Sequence, residues 1–260
     1  MSQENKAIKF VFKLKKKLDY LTKFKNQKNI LFKSKKKDTI DPVTQLDIKI
    51  EKFIRNSIKE NFSTHSIVGE EFKNKLNNSD FKWFIDPIDG TKNLIMGIPT
   101  WSNLIGLHKR EESILSFANF PELNKYYFAY KNKCFVNKDQ KFIKIYSNQK
   151  SNFRNAKMVI NTLRTAKEKK ISRLLKRFPG ILKITGTDAL NFCLIAEGKI
   201  DVLIERGLKK VDFYPLISII KNSGGIITDW NGEMKFSRGD VLVCANKNLH
   251  KHFLKEIRKK

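Results

Sequence analysis

Residues 83–91 read Trp83-Phe84-Ile85-Asp86-Pro87-Ile88-Asp89-Gly90-Thr91, an apolar run that leads directly into two carboxylates. Pro87 has a fixed φ and no backbone N–H, so we expect it to end the strand and set a turn. Gly90 permits a tight backbone path, and Thr91 is a residue type that can cap the element after it. The stretch therefore predicts a buried strand whose C-terminal end presents Asp86 and Asp89.

The two carboxylates have a chemical consequence. Acidic groups held this close repel each other unless a cation lies between them, and Mg²⁺ selects hard oxygen ligands and keeps some of its water. Backbone N–H groups at Gly90 and Thr91, where a helix would begin, can form an anion site beside the metal. An ordinary acidic turn is a poor explanation, because Asp-Pro-Ile-Asp-Gly-Thr arises by chance about once in 10⁷–10⁸ positions.

Upstream of this stretch, apolar residues at helical spacing predict two helices. The first covers Ala7 to about Phe32 among many lysines, and we expect it to pack on the protein and not on a membrane surface. The second begins at Thr44 and places Asp47 near its N-terminal end. A polar break from Lys35 to Pro42 separates them, and the apolar pair Ile67-Val68 predicts a further strand.

Downstream, the pattern changes twice. From Trp101 to Ile145 short alternating runs are separated by turn residues, which predicts an antiparallel sheet. Strands and helices then alternate, which predicts layers. The expected strands are Met158–Ile160, Asp201–Ile204, Ile226–Thr228 and Val241–Cys244, and the expected helices are Ala166–Phe178, Asp188–Glu197, Asp212–Asn222 and Leu249–Ile257. We expect an α/β protein with an N-terminal α+β half, residues 1–150, and a C-terminal α/β half, residues 151–260.

Composition restricts the class of protein. A chain of 260 residues can bury a core without a disulfide or a structural metal. Its three cysteines, Cys134, Cys193 and Cys244, are far apart and form no CxxC pair, so they predict reduced thiols and a cytoplasmic location. No apolar run approaches the ~20 residues of a membrane span, and the Lys-rich start does not resemble a signal peptide.

The charge balance allows two interpretations. Lys and Arg number 53 against 26 Asp and Glu, a net charge of +27. Such an excess can indicate a nucleic-acid partner. Only nine of the cations are arginines, the residue type that base and phosphate recognition favours, and the lysines are spread along the whole chain. A general compositional drift therefore explains the charge better, and we expect no specific nucleic-acid partner.

The motifs together resemble the inositol monophosphatase superfamily. The similarity covers Asp41 to the C-terminal end of the chain. It rests on DPVTxxD (41–47), GEE (69–71), DPIDGTKN (86–93), Gly186-Thr187-Asp188, Glu205 and VDFYPL…SGG (211–225). The resemblance implies a layered α/β/α/β/α sandwich of the inositol monophosphatase / fructose-1,6-bisphosphatase type. It also implies a homodimer and Mg²⁺-dependent hydrolysis of a small phosphate monoester.

The resemblance also implies roles for individual residues. A first Mg²⁺ would be held by Glu70, Asp86 and the carbonyl of Ile88. A second would be held by Asp86, Asp89 and Asp212, and the total would be two or three ions. The catalytic set would be Asp47, Glu70 and Thr91, of which Asp47 and Thr91 orient and deprotonate the attacking water. The residues that bind substrate would be Gly90, Thr91, Gly186, Thr187, Asp188 and Glu205.

Several of these residues have simpler alternatives. Glu71 competes with Glu70 as the ligand. Asp47 can serve only as a partner of its helix dipole, and Asp212 and Asp188 can each cap a helix. The chain also departs from the family pattern, because Phe213-Tyr214-Pro215 replaces the small residues that usually allow close helix packing.

The same strings indicate a substrate. GTKNLIMGIP (90–99), TGTDALNF (185–192), ERGLKKVDFYPL (205–216) and GGIITDWNG (224–232) resemble the histidinol-phosphatase subgroup. Thr187 is closer to the inositol-phosphate enzymes. Two acidic residues near the organic half of the substrate, Asp188 and Glu205, suit the ammonium and imidazole of histidinol phosphate. Histidinol phosphate is therefore favoured and inositol 1-phosphate is the alternative. A basic nucleic-acid-binding protein without hydrolase activity is the remote alternative.

The charge interpretation predicts weak binding to DNA. If the net charge is compositional drift, the dissociation constant for duplex DNA at physiological salt should be about 10⁻⁴–10⁻⁶ M and independent of sequence. Fluorescence anisotropy with two unrelated duplexes measures it. Nanomolar, sequence-dependent binding would show that the nucleic-acid interpretation is correct.

Overall fold

The computed structural model describes residues 2–22, 31–35 and 42–259. The helices of these residues are α1 Gln3–Thr22, α2 Gln45–Asn61, α3 Thr91–Ile95, α4 Leu163–Ala166, α5 Lys169–Leu175, α6 Ala189–Ala196, α7 Lys210–Phe213, α8 Ile217–Asn222 and α9 Lys247–Arg258. The strands are β1 Phe32–Ser34, β2 Pro42–Thr44, β3 Ser66–Gly69, β4 Phe81–Asp89, β5 Ser102–Lys109, β6 Glu112–Phe120, β7 Lys125–Tyr130, β8 Lys133–Lys138, β9 Lys141–Lys144, β10 Lys157–Ile160, β11 Ile181–Ile184, β12 Val202–Glu205, β13 Ile226–Thr228 and β14 Val241–Cys244.

Two large sheets organise the fold. The first has seven strands in the order β3-β4-β5-β6-β7-β8-β9. It is antiparallel except where β3 runs parallel to β4, which confirms the antiparallel sheet predicted between Trp101 and Ile145. The second has five strands in the order β11-β10-β12-β14-β13. Strand β10 lies parallel to β11 and β12, and β14 is antiparallel to both of its neighbours.

Helices fill the space between the sheets and cover their outer faces. Alternation along β4 places Phe84 in the inner core with Phe192 of α6 and Ile219 of α8. The neighbouring Trp83 faces the other way and packs with α1 and α2. On the outer face of the second sheet, Phe253 of α9 packs in a third cluster with α5. The result is the expected α/β/α/β/α sandwich. The division near residue 150 stays a prediction.

Several predicted boundaries are wrong, and each has a local reason. Helix α1 ends at Thr22, residues 23–30 lie outside the described residues, and Phe32 starts a strand. The helix expected at Ala166–Phe178 is two shorter helices, because Thr162 caps α4 and the chain restarts at Lys169. Strand β11 was not expected, and β1 and β2, which pair with each other, lie on either side of the region interpreted as a polar break, with only Pro42 of β2 inside it. The other residues of that break, 36–41, lie outside the described residues.

The helix expected at Asp212–Asn222 is interrupted at Pro215. A 3₁₀ turn, Tyr214–Leu216, separates α7 from α8, because proline cannot donate a backbone hydrogen bond inside a helix. This segment lacks the small residues that usually allow close packing, but a glycine in the neighbouring sheet provides the space. A Cβ on Gly106 of β5 would lie 2.6 Å from the Cα of Pro215. Gly106 therefore allows the close approach that the small residues of the family usually allow.

This packing predicts the effect of Gly106→Ala. The added methyl group would overlap backbone atoms of the 3₁₀ turn, and overpacking of this kind costs about 1–3 kcal/mol. We expect the melting temperature to fall by several degrees in a calorimetric scan, with α7 displaced. A variant that melts with the parent would contradict the close approach.

Candidate metal and phosphate site

The acidic turn is part of a strand. Strand β4 continues through Pro87 to Asp89, so the prediction that Pro87 ends it is wrong. The ladder to β5 shifts between Asp86 and Asp89. At this shift no ladder hydrogen bond is required from Pro87, which has no backbone N–H. The side chain of Asn103 donates a hydrogen bond to the Pro87 carbonyl at 2.7 Å. The N–H of Ile88 donates to Asp86 Oδ1 at 3.0 Å. These bonds hold both aspartates in a buried bulge.

Helix α3 begins directly after this bulge. Its N-cap is Gly90, with φ +82°, a backbone conformation that glycine adopts readily. Thr91 is thus the first helical residue and does not cap the helix. Its hydroxyl donates instead to Asp47 Oδ1 at 3.2 Å and to the Ile88 carbonyl at 3.1 Å. The structure therefore joins Thr91 to Asp47.

Asp47 has two functions in the structure. It lies in the first turn of α2, where it accepts the N–H of Thr44 at 2.8 Å and completes a capping box. Its second oxygen accepts the Thr91 hydroxyl, so the capping role and the contact expected for catalysis coexist. Burial raises the pKa of Asp47, against the hydrogen bonds from Thr44 and Thr91, which lower it.

Glu70 is an acidic residue of the site that is paired with cations. The ammonium groups of Lys35 and Lys209 lie 3.1 Å and 2.9 Å from Glu70 Oε1. Burial alone would raise the pKa of Glu70, but the two lysines outweigh it and lower the pKa. Lys35 also lies 2.6 Å from Glu71, whose pKa burial raises to about 6. Sequence reasoning missed both lysines, because only the fold brings them to Glu70.

Three aspartates beside Glu70 are under strong mutual repulsion. Burial, followed by the charges of neighbouring carboxylates, raises the pKa of Asp86 and of Asp89 well above the usual range. Burial and Glu70 raise the pKa of Asp212 to about 7. Asp212 Oδ2 also accepts the N–H of Lys209 at 2.7 Å, so it caps α7 as well. The three aspartates, of which Asp86 and Asp89 are buried and Asp212 is half-buried, form a group of acids that offers only oxygen atoms as ligands.

This donor set fits a divalent cation, but the side chains are not yet arranged around one. Among residues 2–22, 31–35 and 42–259, no three His, Cys, Asp or Glu side chains converge closely enough to hold a metal ion as they stand. Lys35 and Lys209 already occupy Glu70 Oε1. Buried carboxylates that repel one another and present only oxygen are the ligands that Mg²⁺ prefers. Small side-chain movements, above all of Glu70, would have to accompany binding.

A second group of polar side chains lies next to the aspartates. Asp188 is half-buried at the start of α6, and its side chain makes no capping hydrogen bond. Its Oδ1 has no hydrogen-bond partner. Burial and then Glu205 and Asp212 raise the pKa of Asp188 well above the usual range. Helix capping therefore does not explain this residue, and its charge lies near those of Glu205 and Asp212.

Asn161 belongs to the same group and was missed by sequence reasoning. Its backbone N–H donates to Glu205 Oε1, and its own Oδ1 is buried without a partner. Glu205 Oε2 accepts the Thr165 hydroxyl at 3.0 Å, and burial raises the pKa of Glu205 to about 7. A local signal was available, because Asn161 directly follows the apolar strand β10, as Asp86 follows an apolar run in β4.

The Gly186-Thr187-Asp188 turn contacts the acidic bulge. Asn93 of α3 donates to the Gly186 carbonyl at 2.9 Å, and the Thr187 hydroxyl donates to the Thr100 carbonyl at 3.3 Å. The N–H of Ala189 donates to Asp89 Oδ2 at 3.3 Å. The structure thus brings the metal and substrate residues named from sequence into one continuous region.

Comparison with known proteins identifies the family of this chain. The model of the inositol monophosphatase family matches residues 3–260. The chain belongs to the inositol monophosphatase family. It is 33% identical over 227 residues to a fructose-1,6-bisphosphatase/inositol-1-monophosphatase of Aquifex aeolicus, covering 85% of this chain and 83% of the relative. It is 28% identical over 230 residues to a histidinol-phosphatase of Chlorobaculum parvum, covering 86% and 85%. The solved structure of an IMPase from Thermotoga maritima is 25% identical, with a TM-score of 0.82, and covers 96% of both chains.

Membership of the inositol monophosphatase family establishes the class of reaction. Its members are metal-dependent phosphatases that typically use Mg²⁺, so this chain is a phosphoric monoester hydrolase that acts on small phosphorylated molecules. The remote alternative of a nucleic-acid-binding protein without hydrolase activity is set aside. Within the described residues, no helix is both long and apolar enough to cross a membrane.

The repulsion among the aspartates of this inositol monophosphatase family site predicts a stabilising substitution. In EDTA near neutral pH, Asp89→Asn removes one buried charge, and the amide oxygen can still accept the Ala189 N–H. We expect a higher melting temperature, by about 2–4 °C for each kcal/mol gained. The matched control is Asp80→Asn, an exposed acid beside Arg110, which should change little. A lower melting temperature for Asp89→Asn would contradict the repulsion.

Proposed function

We propose that this chain hydrolyses histidinol phosphate, with inositol 1-phosphate as the alternative substrate. The observation that carries the proposal is the pair of neighbouring carboxylates, the half-buried Asp188 with its buried Oδ1 and the buried Glu205, beside the aspartates proposed as metal ligands. Histidinol phosphate presents an ammonium and an imidazole, so both acids gain charge-assisted hydrogen bonds. Inositol phosphate offers only neutral hydroxyl groups there, and one buried carboxylate would keep its desolvation cost.

Unpartnered acceptor atoms support this choice. Asp188 Oδ1 and Asn161 Oδ1 are both buried and both lack a hydrogen-bond donor. An unpaired buried acceptor costs about 1–3 kcal/mol, so a ligand that brings N–H donors recovers that free energy. The names of the relatives divide between the two substrates, and Thr187 favours the inositol-phosphate enzymes. The charge of the pocket is therefore the stronger argument.

We infer that Mg²⁺ is held by Glu70, Asp86, Asp89, Asp212 and the carbonyl of Ile88, as two or three ions. When bound, the metal supplies a hydroxide-like nucleophile and neutralises charge on the leaving alkoxide and the phosphoryl oxygens. Thr91 Oγ1 would accept a proton from the attacking water while its own proton passes to Asp47 Oδ1, 3.2 Å away, so that Thr91 stays neutral and Asp47 gains the proton. The raised pKa of Asp47, caused by burial, favours this proton acceptance.

Lys35 and Lys209 have a part in the same proposal. Both ammonium groups must leave Glu70 Oε1 before that oxygen can serve as a ligand. Both ammonium groups would then lie beside the acidic bulge, where the phosphate of the substrate is expected. Charge-assisted bonds from lysine to phosphate are strong enough to hold it there. Gly90, Thr91, Gly186 and Thr187 are proposed to complete the substrate site.

We also propose a homodimer and a cytoplasmic location. Exposed apolar side chains on the edge strand β11, such as Ile181 and Leu182, support a partner on that edge. Cys134, Cys193 and Cys244 are buried free thiols. Burial raises the pKa of each thiol, which leaves them unreactive and in keeping with a reducing compartment.

The metal assignment predicts a loss of turnover. Chelation should abolish phosphate release and added Mg²⁺ should restore it. Asp89→Asn should lower kcat by several orders of magnitude, because one ligand charge is lost, while circular dichroism shows an intact fold. Asp80→Asn is the control and should keep full activity. A parental rate for Asp89→Asn would refute the assignment of this ligand.

The substrate assignment predicts a selective loss. We expect the parent to have a higher kcat/KM for histidinol phosphate than for inositol 1-phosphate. Asp188→Ala should lose about 1.5–3 kcal/mol of transition-state stabilisation for histidinol phosphate and little for inositol 1-phosphate. Asp80→Ala should change neither. Equal losses on both substrates, or a parent that prefers inositol 1-phosphate, would transfer the assignment to the alternative.

A further inference from the structure

Helix α2 carries a buried ion pair one turn after Asp47. Glu51 is 0% exposed, and Arg55, one turn further on, is 6% exposed. The Nε of Arg55 lies 2.6 Å from Glu51 Oε1. Residues four apart are neighbours on one face of a helix, so Asp47, Glu51 and Arg55 form a single polar row. Asp47 contacts Thr91 from one end of this row, and the ion pair contacts the chain that follows β3.

Glu51 accepts the backbone N–H groups of the three residues after β3. Its Oε2 accepts from Glu70 at 3.0 Å and from Glu71 at 2.7 Å. Its Oε1 accepts from Phe72 at 3.3 Å and from Arg55 Nε at 2.6 Å. A carboxylate has about four acceptor sites, so these donors fill it. Because a buried charge is costly unless it is paired and hydrogen-bonded, Glu51 and the N–H groups stabilise one another.

Arg55 binds the carbonyl groups of the same segment. Its guanidinium donates to the Phe72 carbonyl at 3.0 Å and to the Lys73 carbonyl at 3.3 Å. Residues 70–73 follow β3 as bends and irregular chain, so two side chains of α2, and not a sheet ladder, hold their backbone groups. The chain lies directly against the ion pair, because a Cβ on Gly69 would be 2.1 Å from Glu51 Oε1.

The backbone held in this way carries Glu70. After burial, the charge of Glu70 raises the pKa of Asp86 and of Asp212 most, so its carboxylate lies near both aspartates. Helix α2 also carries Asp47, which binds Thr91. One rigid helix therefore fixes the backbone of Glu70 relative to the Asp47–Thr91 pair. A rotation of the segment after β3 would turn the Glu70 carboxylate away from the aspartates.

We propose that Glu51 is a positioning residue that holds the backbone of Glu70 and thereby aims its carboxylate at the neighbouring aspartates. Arg55 keeps Glu51 in place and holds the carbonyl groups of the same segment. Glu51 is not itself a ligand and acts through Glu70. This inference rests on the proposed function, in which Glu70 binds Mg²⁺. Removing a hydrogen-bond partner that orients a metal ligand typically weakens metal binding by about 10–100-fold.

Hydrogen–deuterium exchange in EDTA tests the hold on the backbone. Glu51→Gln keeps the size of the side chain, but its NH₂ group cannot accept the N–H bonds that one carboxylate oxygen accepted. We expect the amides of residues 70–72 to exchange at least about tenfold faster, the loss of a hydrogen bond to a charged group, while those of α9 keep the parental rate. Glu60→Gln, the same change at an exposed position of α2, should exchange like the parent. Parental exchange at residues 70–72 in Glu51→Gln would overturn the proposal.

Titration of the same proteins with Mg²⁺ by isothermal calorimetry tests the effect on the metal site. The dissociation constant should rise about 10–100-fold in Glu51→Gln and stay parental in Glu60→Gln. Faster exchange with parental Mg²⁺ affinity would show that Glu51 only stabilises the segment after β3, and would overturn the positioning role alone. Absence of Mg²⁺ binding to the parent would refute Glu70 as a ligand, and this proposal with it.

Gly69→Ala tests the same contact without removing a charge, and it keeps the proposal testable if Glu51→Gln does not fold. The added methyl group would overlap Glu51 Oε1 and displace the carboxylate from the N–H groups. Exchange at residues 70–72 should be faster and Mg²⁺ binding weaker, as in Glu51→Gln. Parental exchange and parental Mg²⁺ affinity in Gly69→Ala would contradict the role assigned to Glu51.

Discussion

Electrostatic repulsion among three aspartates, the buried Asp86 and Asp89 and the half-buried Asp212, is the constraint on which the rest of the site depends. Each of their pKa values is raised by burial and by neighbouring carboxylates. The ammonium groups of Lys35 and Lys209 pair with Glu70, and that of Lys35 also pairs with Glu71. The aspartates are left with hydrogen bonds from backbone N–H groups and from Ser102, which hold their positions but do not neutralise their charge. Under the metal assignment proposed above, a divalent cation would balance these charges.

The sandwich buries Asp86 and Asp89. Strand β4 has neighbours on both sides in the seven-stranded sheet, and its Trp83 and Phe84 enter separate cores on opposite faces. Helix α7 is held against this strand by the 3₁₀ turn that packs on Gly106. Moving any of the three carboxylates to solvent would therefore disrupt a core. If the aspartates hold metal as proposed, binding would relieve this repulsion, and stability and catalysis would be linked through the same charges.

Local sequence patterns predicted those features of the fold that neighbouring residues determine by themselves. Alternation between Trp101 and Ile145 indicated the antiparallel sheet, and the residues 86–91 indicated the acidic turn. Strand β11 was missed because its side chains are exposed at a sheet edge and show no alternation. Contacts across long separations, such as Thr91 with Asp47, came from family resemblance and not from spacing. Lys35 and Lys209 carried no signal at all, because one lysine among so many is not distinguishable by sequence.

Titration of the parent with Mg²⁺ by isothermal calorimetry tests most directly whether the buried carboxylates form a metal site. The parent should bind more than one ion per chain, since Asp86 is assigned to two of them. Asp86→Asn should bind fewer ions and bind them more weakly, with its fold intact by circular dichroism. Equal stoichiometry and affinity in Asp86→Asn, or no Mg²⁺ binding to the parent, would contradict the assignment of these aspartates as ligands.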